Sequence, residues 1–263
     1  MRIRHAFFML FLPLLISAAC QTVPITGRSQ LMIIPEPEEV RMGVQAYQEI
    51  LKKSKISRDP QLNLLVTRVG SRIAQATGRT DYRWEFTVIE DSKQVNAFAL
   101  PGGKVAVYTG ILPVTNDEAG LATVIGHEVA HAIARHGGER VSQGLVVQGG
   151  LMAAQVAMAN RDPQTVRLVT GLLGAGAAIG VILPFSRSQE SEADRLGLIY
   201  MAKAGYDPRA ALGFWQRMEQ AARQRRAPPE FLSTHPSHGT RQRQIEQWIP
   251  EAMQHYHSSG GGS

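Results

Sequence analysis

The chain of 263 residues contains a single cysteine, Cys20, which excludes an internal disulfide bond. It also lacks zinc-finger spacing and any basic motif interleaved with aromatic residues, so its formal charge of +6 gives little support to nucleic-acid binding. Only one apolar run approaches the length of a membrane span, residues 168–185, in which Thr170 is the one polar side chain. No helical repeat follows the last predicted helix.

The N-terminal segment has the pattern of a secretory signal. Arg2 and Arg4 precede an apolar run at 6–16 and the small residues before Cys20, which predicts a signal peptide over 1–19. The run is too short to remain as a spanning helix. The end of the segment resembles a bacterial lipobox, whose cysteine is acylated and becomes the mature N-terminus. Gln21, in the next position, is similar to lipoproteins sorted to the outer membrane, so we expect a lipid-anchored protein of the bacterial periplasm.

Removal of this segment would lower the formal charge from +6 to +4, because it takes away Arg2 and Arg4. A mildly basic surface favours anionic lipid headgroups or acidic substrates. The densest basic run, residues 217–226, is interpreted as the solvated end of a helix.

The most informative motif is His127-Glu128-Val129-Ala130-His131, an H-E-x-x-H match within a helical pattern. Histidines four residues apart on an α-helix lie about 40° apart around its axis and roughly 6 Å apart along it, so both can reach one metal ion. Zinc accepts neutral imidazole nitrogens and keeps one position open for water when the protein supplies three ligands. Glu128 is placed to take a proton from that water, as in metalloproteases. The alternative is a pair of ordinary helix histidines.

The motif is predicted to lie on a buried helix of about five turns. Thr115 and Glu118 have the spacing of a capping box at its start, and Gly137-Gly138 is expected to end it. His136 falls on nearly the opposite face from His127 and is interpreted as a packing or surface residue. The apolar positions at helical spacing are Leu121, Val124, Ile125, Val129, Ala132 and Ile133.

A third ligand is required, and the metzincin pattern does not supply it. Gly137 stands where that pattern needs a histidine, and Ala134 where it needs a glycine. Glu190 and Asp194, four residues apart in a downstream helical pattern, face the same way. One carboxylate could bind zinc while the other orients a ligand histidine. A solvated acidic first turn, favoured by the helix dipole, explains the same residues equally well from spacing alone.

The combination of segments resembles the zinc metallopeptidase family of the CAAX-prenyl protease and HtpX. Within that family the chain is most similar to the soluble BepA- and LoiP-like members of the bacterial envelope. The resemblance runs from about residue 20 to 245. The matching segments are H-E-V-A-H at 127–131, S-R-S-Q-E-S-E-A-D-R-L-G at 186–197, P-I-T-G-R at 24–28, N-A-F at 96–98, P-G-G at 101–103 and T-H-P at 234–236.

The resemblance implies one Zn²⁺ per chain, bound by His127, His131 and Glu190. Glu128 would be the catalytic base, and Asp194 would assist catalysis by orienting a ligand histidine. Glu192 would be a neighbour of the ligand, a choice that rests on the family pattern because spacing does not separate the two glutamates.

The resemblance also gives a possible role to the T-H-P segment. In BepA-like relatives the matching histidine sits at the metal site, so His235 could close the open zinc position at rest or stabilise the transition-state oxyanion. The loop from Pro228 to Ser237 has the proline and small polar residues of a movable lid. A loop histidine hydrated by solvent is the alternative, and Arg241 is a weaker candidate.

A small β region is predicted among the helices. Residues 84–89 and 104–108 alternate as strands, and the turn at 101–103 joins the second strand to the segment 96–100. By resemblance to zincins, 96–100 is the candidate edge strand that holds an extended substrate, although a simple hairpin is the alternative. Helices are expected at 37–54, after Asp59-Pro60, after Asp207-Pro208 and from Arg241 to about Gln254.

The segment 141–185 is predicted to form a buried or membrane-apposed helical hairpin, with arms at 141–160 and 163–182 broken at Asp162-Pro163. A single membrane span is the less favoured alternative, because it would place His131 and Glu190 on opposite sides of the bilayer. Integral members of the family do place membrane helices between these two segments.

The fold class that follows is α+β and predominantly helical, a zincin-type (gluzincin) protease with a small β-sheet beside the active-site helix. The expected organisation is a signal peptide at 1–19, a lipid-anchored segment at 20–35, a metallopeptidase domain at 36–256 and a flexible tail at 257–263. The expected substrates are polypeptides, in particular misfolded or unassembled envelope proteins. The alternative function is a non-catalytic, chaperone-like lipoprotein of outer-membrane assembly with a structural or latent zinc site.

Overall fold

The computed structural model describes residues 20–157, 185–224, 228–236 and 240–258. The chain divides into two compact units, one formed by Met1–Glu36 and Gly137–Leu183 and the other by Pro37–His136 and Pro184–Ser263. The predicted signal peptide at 1–19 and the predicted second hairpin arm at 163–182 lie outside the described residues.

The described elements, in chain order, are β1 (Cys20–Thr22), β2 (Ser29–Leu31), α1 (Glu36–Lys52), α2 (Pro60–Ala76), β3 (Glu85–Ile89), β4 (Ala97–Leu100), β5 (Lys104–Tyr108), a 3₁₀ turn (Thr109–Ile111), α3 (Leu112–Thr115), α4 (Glu118–Ile133), α5 (His136–Ala157), α6 (Arg187–Lys203), α7 (Ala210–Arg223), α8 (Glu230–Thr234) and α9 (Arg241–Ser258). The predominantly helical α+β class predicted from the sequence is therefore confirmed. Helix α9 continues two residues into the segment predicted as a flexible tail.

In the first unit, β1 and β2 form an antiparallel hairpin in which Cys20 pairs with Leu31. The Arg28 guanidinium donates two hydrogen bonds of 2.8 Å to the Glu139 carboxylate at the start of α5. Further along α5 the large apolar side chains are exposed, so the predicted first arm is helical but not buried in the described structure; these residues are Val141, Leu145, Val146, Val147 and Met152. Among the described residues, no helix is both long and apolar enough to cross a membrane.

In the second unit, the early helices follow their sequence signals. The Asp59 side chain accepts hydrogen bonds from the backbone N–H groups of Gln61 and Leu62, and Pro60 occupies the first turn of α2. The buried face of α2 consists of the apolar residues that recur at helical spacing, namely Val66, Val69 and Ile73, with Gly70 and Ala74 between them.

The sheet of the second unit has the strand order β3-β5-β4. Strand β5 pairs in parallel with β3 and antiparallel with β4. Strand β4 therefore lies at an edge of this sheet, and it packs against helix α4. The predicted small sheet beside the motif helix is confirmed, including the turn at 101–103, where Gly102 and Gly103 adopt positive φ angles.

Helix α4 carries the H-E-x-x-H motif, but its ends differ from the sequence prediction. Asp117, not Thr115, is the N-cap, and its side chain accepts a hydrogen bond from the Gly120 N–H. The helix ends at Ile133 because Arg135 adopts a left-handed φ of 57°, so Gly137 and Gly138 lie inside α5 and do not end α4. The Arg135 guanidinium is buried against Glu39 at 2.7 Å, an ion pair that fixes this unusual backbone.

Two glycines let α4 and α6 cross in close contact. A β-carbon on Gly126 would lie 3.0 Å from the Gly197 carbonyl oxygen, and one on Gly197 would lie 2.9 Å from the His127 backbone nitrogen. A side chain at either position would force the helices apart. The crossing brings His127 and the acidic residues of α6 together.

Candidate metal centre

Four side chains, from two helices and from one position that follows a third helix, meet near the helix crossing. His127 and His131 come from α4, Glu190 from the first turn of α6, and His235 from the residue that follows α8. One ligand atom from each lies within 4.8 Å of the others, and all four residues are buried. Nε2 of His131 is 3.1 Å from Nε2 of His127, which is 3.2 Å from Nδ1 of His235.

Glu190 completes this group through both carboxylate oxygens. Its Oε1 lies 2.9 Å from Nδ1 of His235 and 3.3 Å from Nε2 of His131, and its Oε2 lies 3.5 Å from Nε2 of His127. The solvated acidic turn considered from the sequence is wrong, because Glu190 has no exposed surface and Glu192 and Asp194 are 6% and 5% exposed. Burial of three carboxylates within five residues requires partners for each of them.

The charges of the group are set by mutual contacts. Burial opposes ionisation of Glu190, but the close contacts with His127, His131 and His235 outweigh it and hold the pKa of the carboxyl well below its usual value. Burial lowers the pKa of His131 well below its usual value, so this imidazole is neutral. Burial acts in the same direction on His127, but contacts with Asp194 and Glu190 overcome it and raise the pKa of His127 to about 9.

Glu128 points towards the same space from the neighbouring position on α4. Burial raises the pKa of its carboxyl, partly offset by the charges of His235 and His127 and by the backbone amide of Ala99 in the edge strand β4. Its Oε1 lies 3.4 Å from Nε2 of His235 and makes no hydrogen bond within the described part of the chain. A buried carboxylate with a raised pKa and a free oxygen is suited to accept a proton.

Asp194 and Arg241 form a charged support behind His127. The His127 imidazole donates from Nδ1 to Oδ1 of Asp194 at 2.9 Å, which points Nε2 at the other ligand atoms. Arg241 lies 2.7 Å from each Asp194 oxygen and 3.2 Å from Oε2 of Glu190. Its guanidinium carbon is 3.4 Å from the centroid of the Trp215 ring. Arg241, a weak candidate from the sequence, is thus buried at the centre.

His235 is held at the centre by aromatic packing, and the hydrated-loop alternative is wrong, because only 3% of its surface is exposed. The preceding residues form the short helix α8, and the buried Phe231 ring of that helix lies 4.8 Å from the His235 ring. The Phe185 ring also stacks on His235, with a centroid distance of 5.2 Å, and its backbone N–H donates to the Thr234 carbonyl. Part of the predicted lid at 228–237 is therefore helical.

The residues fit a divalent metal ion. Three imidazole nitrogens and a carboxylate oxygen converge on one buried point, where a single cation can be bound by all four. The carboxylates of Asp194 and Glu190 raise the pKa of His127 and so favour positive charge at this point. Oε2 of Glu190 is buried and makes no hydrogen bond to the described residues, so it keeps coordinating capacity. Nitrogen and carboxylate donors in this number are those of zinc sites.

Comparison with known proteins identifies the family. Residues 60–249 match the model of peptidase family M48. The chain belongs to peptidase family M48. The matched region contains the motif helix, the Glu190 segment and the T-H-P segment, and so includes every residue of the metal centre.

Curated proteins resemble the chain over most of its length. It is 40% identical to "Mitochondrial metalloendopeptidase OMA1" of Schizosaccharomyces pombe, over 88% of the chain and 67% of that protein. It is 33% identical to "Metalloendopeptidase OMA1, mitochondrial" of Homo sapiens, over 88% of the chain and 46% of that protein. It is 30% identical to "Beta-barrel assembly-enhancing protease" of Escherichia coli, over 83% of the chain and 45% of that protein.

Family membership and the cluster together confirm two predictions. The M48 chain is a zinc metalloendopeptidase, and one zinc ion is its cofactor. This favours the catalytic expectation over the non-catalytic alternative. Family membership does not assign the chain to the bacterial envelope subgroup, because its relatives include both mitochondrial and bacterial proteins.

His136 lies at the centre, which its predicted place on the opposite helix face did not indicate, and Glu192 is a neighbour of the ligand group, as expected. His136 is fully buried, with Nδ1 2.9 Å from Nδ1 of His131 and Nε2 2.9 Å from Oε2 of Glu192. The prediction of a packing or surface residue assumed a continuous helix. The left-handed Arg135 turns the chain before His136, so helical geometry no longer applies across 131–136. A non-glycine residue with positive φ leaves no dependable sequence signal.

Proposed function

We propose that His127, His131 and Glu190 bind the zinc ion and that Glu128 is the general base of peptide hydrolysis. The convergence of the ligand atoms within 4.8 Å supports this set. Zinc, when bound, polarises the scissile carbonyl and lowers the pKa of its water. Asp194 keeps the His127 proton on Nδ1, and Arg241 holds Asp194 in place through two contacts of 2.7 Å.

Glu128 moves the proton in this scheme. Its buried carboxylate takes a proton from the attacking water and gives it to the nitrogen of the leaving amine. Burial raises its pKa towards the working pH, which improves both transfers. The contact with the Ala99 amide holds the carboxylate beside the edge strand, where a substrate backbone would lie.

The substrate class follows from the edge strand. Among the described strands β4 pairs only with β5, so its outer edge can add an extended peptide through backbone hydrogen bonds. Backbone recognition requires an unfolded segment and reads few side chains. This supports misfolded or unassembled envelope proteins as substrates, the quality-control function expected from the sequence. Comparison of envelope proteomes from cells with the wild-type chain or Glu128→Gln tests it: such proteins should accumulate in the variant, and unchanged proteomes would contradict it.

The compartment is proposed from the N-terminal sequence. The apolar run at 6–16 followed by small residues and Cys20 is typical of secreted lipoproteins, whereas mitochondrial presequences are amphipathic and rich in arginine. Cys20 begins the hairpin of the first unit, and an acyl group there would anchor the chain. We therefore place the protein in the bacterial periplasm, anchored to the outer membrane, where assembly machinery is a possible partner.

Cys20→Ser is expected to move the protein from the membrane to the soluble fraction. Acyl chains contribute about 0.8 kcal/mol per buried CH₂, and the variant would lack them. Cell fractionation with immunoblotting measures the change. Gln21→Asp is the matched control: it should stay membrane-bound and move to the inner membrane. A Cys20→Ser protein that remains in the membrane after high-salt and carbonate washes would contradict lipid anchoring.

His235 is proposed to close the open zinc position in the resting enzyme. Its Nδ1 lies among the ligand atoms and 2.9 Å from Glu190, and Phe231 and Phe185 pack on its ring. An imidazole nitrogen in this position competes with water and substrate for the metal.

His235→Ala is expected to raise the cleavage of an unfolded protein or cause self-cleavage, because the open position becomes accessible. Steady-state kinetics on a denatured substrate measure the change, with the exposed His257→Ala as control. A lower kcat with little change in KM would instead assign His235 to transition-state stabilisation. Unchanged kinetics together with unchanged zinc affinity would contradict both roles.

A further inference from the structure

The outer nitrogen of His131 faces away from the cluster and towards His136. The two Nδ1 atoms are 2.9 Å apart, and Nε2 of His136 is 2.9 Å from Oε2 of Glu192. All three residues are buried, with exposed fractions of 3%, 0% and 6%. One line of contacts thus runs from Glu192 through His136 to His131, and it ends at the ligand atom Nε2 of His131.

The carboxylate at one end fixes the protons along this line. An ionised carboxylate only accepts hydrogen bonds, so Nε2 of His136 carries a proton and donates it to Glu192. When zinc binds Nε2 of His131, the proton of that ring lies on Nδ1, and Nδ1 of His136, 2.9 Å away, is the atom placed to accept it. His131 in turn keeps its lone pair on Nε2, the atom that faces His127 and Glu190. No other arrangement of neutral tautomers satisfies both contacts.

From this order we propose that His136 and Glu192 are positioning residues that hold His131 in its metal-binding tautomer. A carboxylate orients His127 directly, since Asp194 bonds to its Nδ1. For His131 the carboxylate is Glu192, and it acts through the additional imidazole of His136. The left-handed backbone at Arg135 brings His136 next to His131, because a continuous helix would carry His136 to another face. The proposal rests on the ligand set proposed above, and His136 and Glu192 support one of those ligands without binding the metal.

Zinc affinity of the full-length chain, measured by competition with a chelator, tests whether His136 and Glu192 position His131. His136→Leu has no acceptor for His131 and should weaken zinc binding by roughly 10- to 100-fold, the usual cost of losing a group that orients a ligand. His136→Asn should recover part of the loss, because its side-chain oxygen can stand near the former Nδ1. Ser191→Ala is the control, since Ser191 lies beside Glu192 but bonds to Gln244. A folded His136→Leu with wild-type affinity would overturn the proposal.

Nitrogen-15 NMR of the histidine rings in the zinc-loaded wild-type chain provides a second test that needs no variant. The expected spectrum has the His136 proton on Nε2 and the His131 proton on Nδ1, and Glu192→Leu should release His136 from this tautomer. A wild-type His136 with its proton on Nδ1 would overturn the proposed positioning of His131. Failure of the wild-type chain to bind zinc would instead overturn the ligand set, so the two failures are distinguishable.

Discussion

Glu128→Gln should reduce peptide cleavage by about 10²- to 10⁴-fold while zinc content and fold stay unchanged. The carboxamide has the size of the carboxylate but cannot accept the proton of the attacking water. In the proposed site other residues bind the metal, so the base and ligand roles separate. Cleavage of a denatured protein by the purified, zinc-loaded variant is the measurement, with metal analysis and thermal unfolding beside it.

Glu118→Gln is the matched control for this experiment. It lies at the opposite end of the same helix, where it bonds to Arg68 and Tyr206, and it should keep wild-type cleavage. Wild-type activity in zinc-loaded Glu128→Gln would remove Glu128 from the role of base. Loss of zinc in that variant would show that the two roles are not separate.

Glu190→Gln is expected to weaken zinc binding by more than the roughly 10- to 100-fold that loss of an orienting group costs, because a charged ligand is removed. The buried carboxylate contacts three histidines, and a neutral amide cannot balance the charge of the metal in their place. Zinc content after dialysis, together with chelator competition, measures the effect.

Glu192→Gln is the informative comparison, since spacing in the sequence could not separate the two glutamates. It should weaken zinc binding less than Glu190→Gln does, because Glu192 contacts His136 and not the ligand atoms. The reverse order would assign the ligand role to Glu192 and contradict the proposed set.

Much of the fold was predictable because its signals are local. Asp59 and Pro60 mark the start of α2, and residues 104–108 show the expected strand. The H-E-x-x-H spacing places two imidazoles on one helix face by geometry alone. Local signals failed at both ends of α4. At its start Thr115 and Asp117 are both suitable N-caps, and after its end Gly137 and Gly138 have the pattern of a helix stop but lie inside α5.

The rest of the site depends on tertiary contacts. Burial of the acidic residues of α6 follows from the close crossing at Gly126 and Gly197, which no periodicity indicates. The position of His136 depends on the ion pair between Arg135 and Glu39, residues 96 positions apart. His235 was located by family resemblance, since its loop carries no helical or strand pattern that would bring it to α4.

A crystal structure of the zinc-loaded protein with anomalous diffraction at the zinc edge tests the central claim most directly. The metal peak is expected with His127 Nε2 and His131 Nε2 at about 2.0–2.1 Å and a Glu190 oxygen at about 2.0–2.2 Å. Glu128 should lie beside the metal without binding it. A zinc peak at another place in the chain, or a Glu190 side chain turned away from both histidines, would contradict the account.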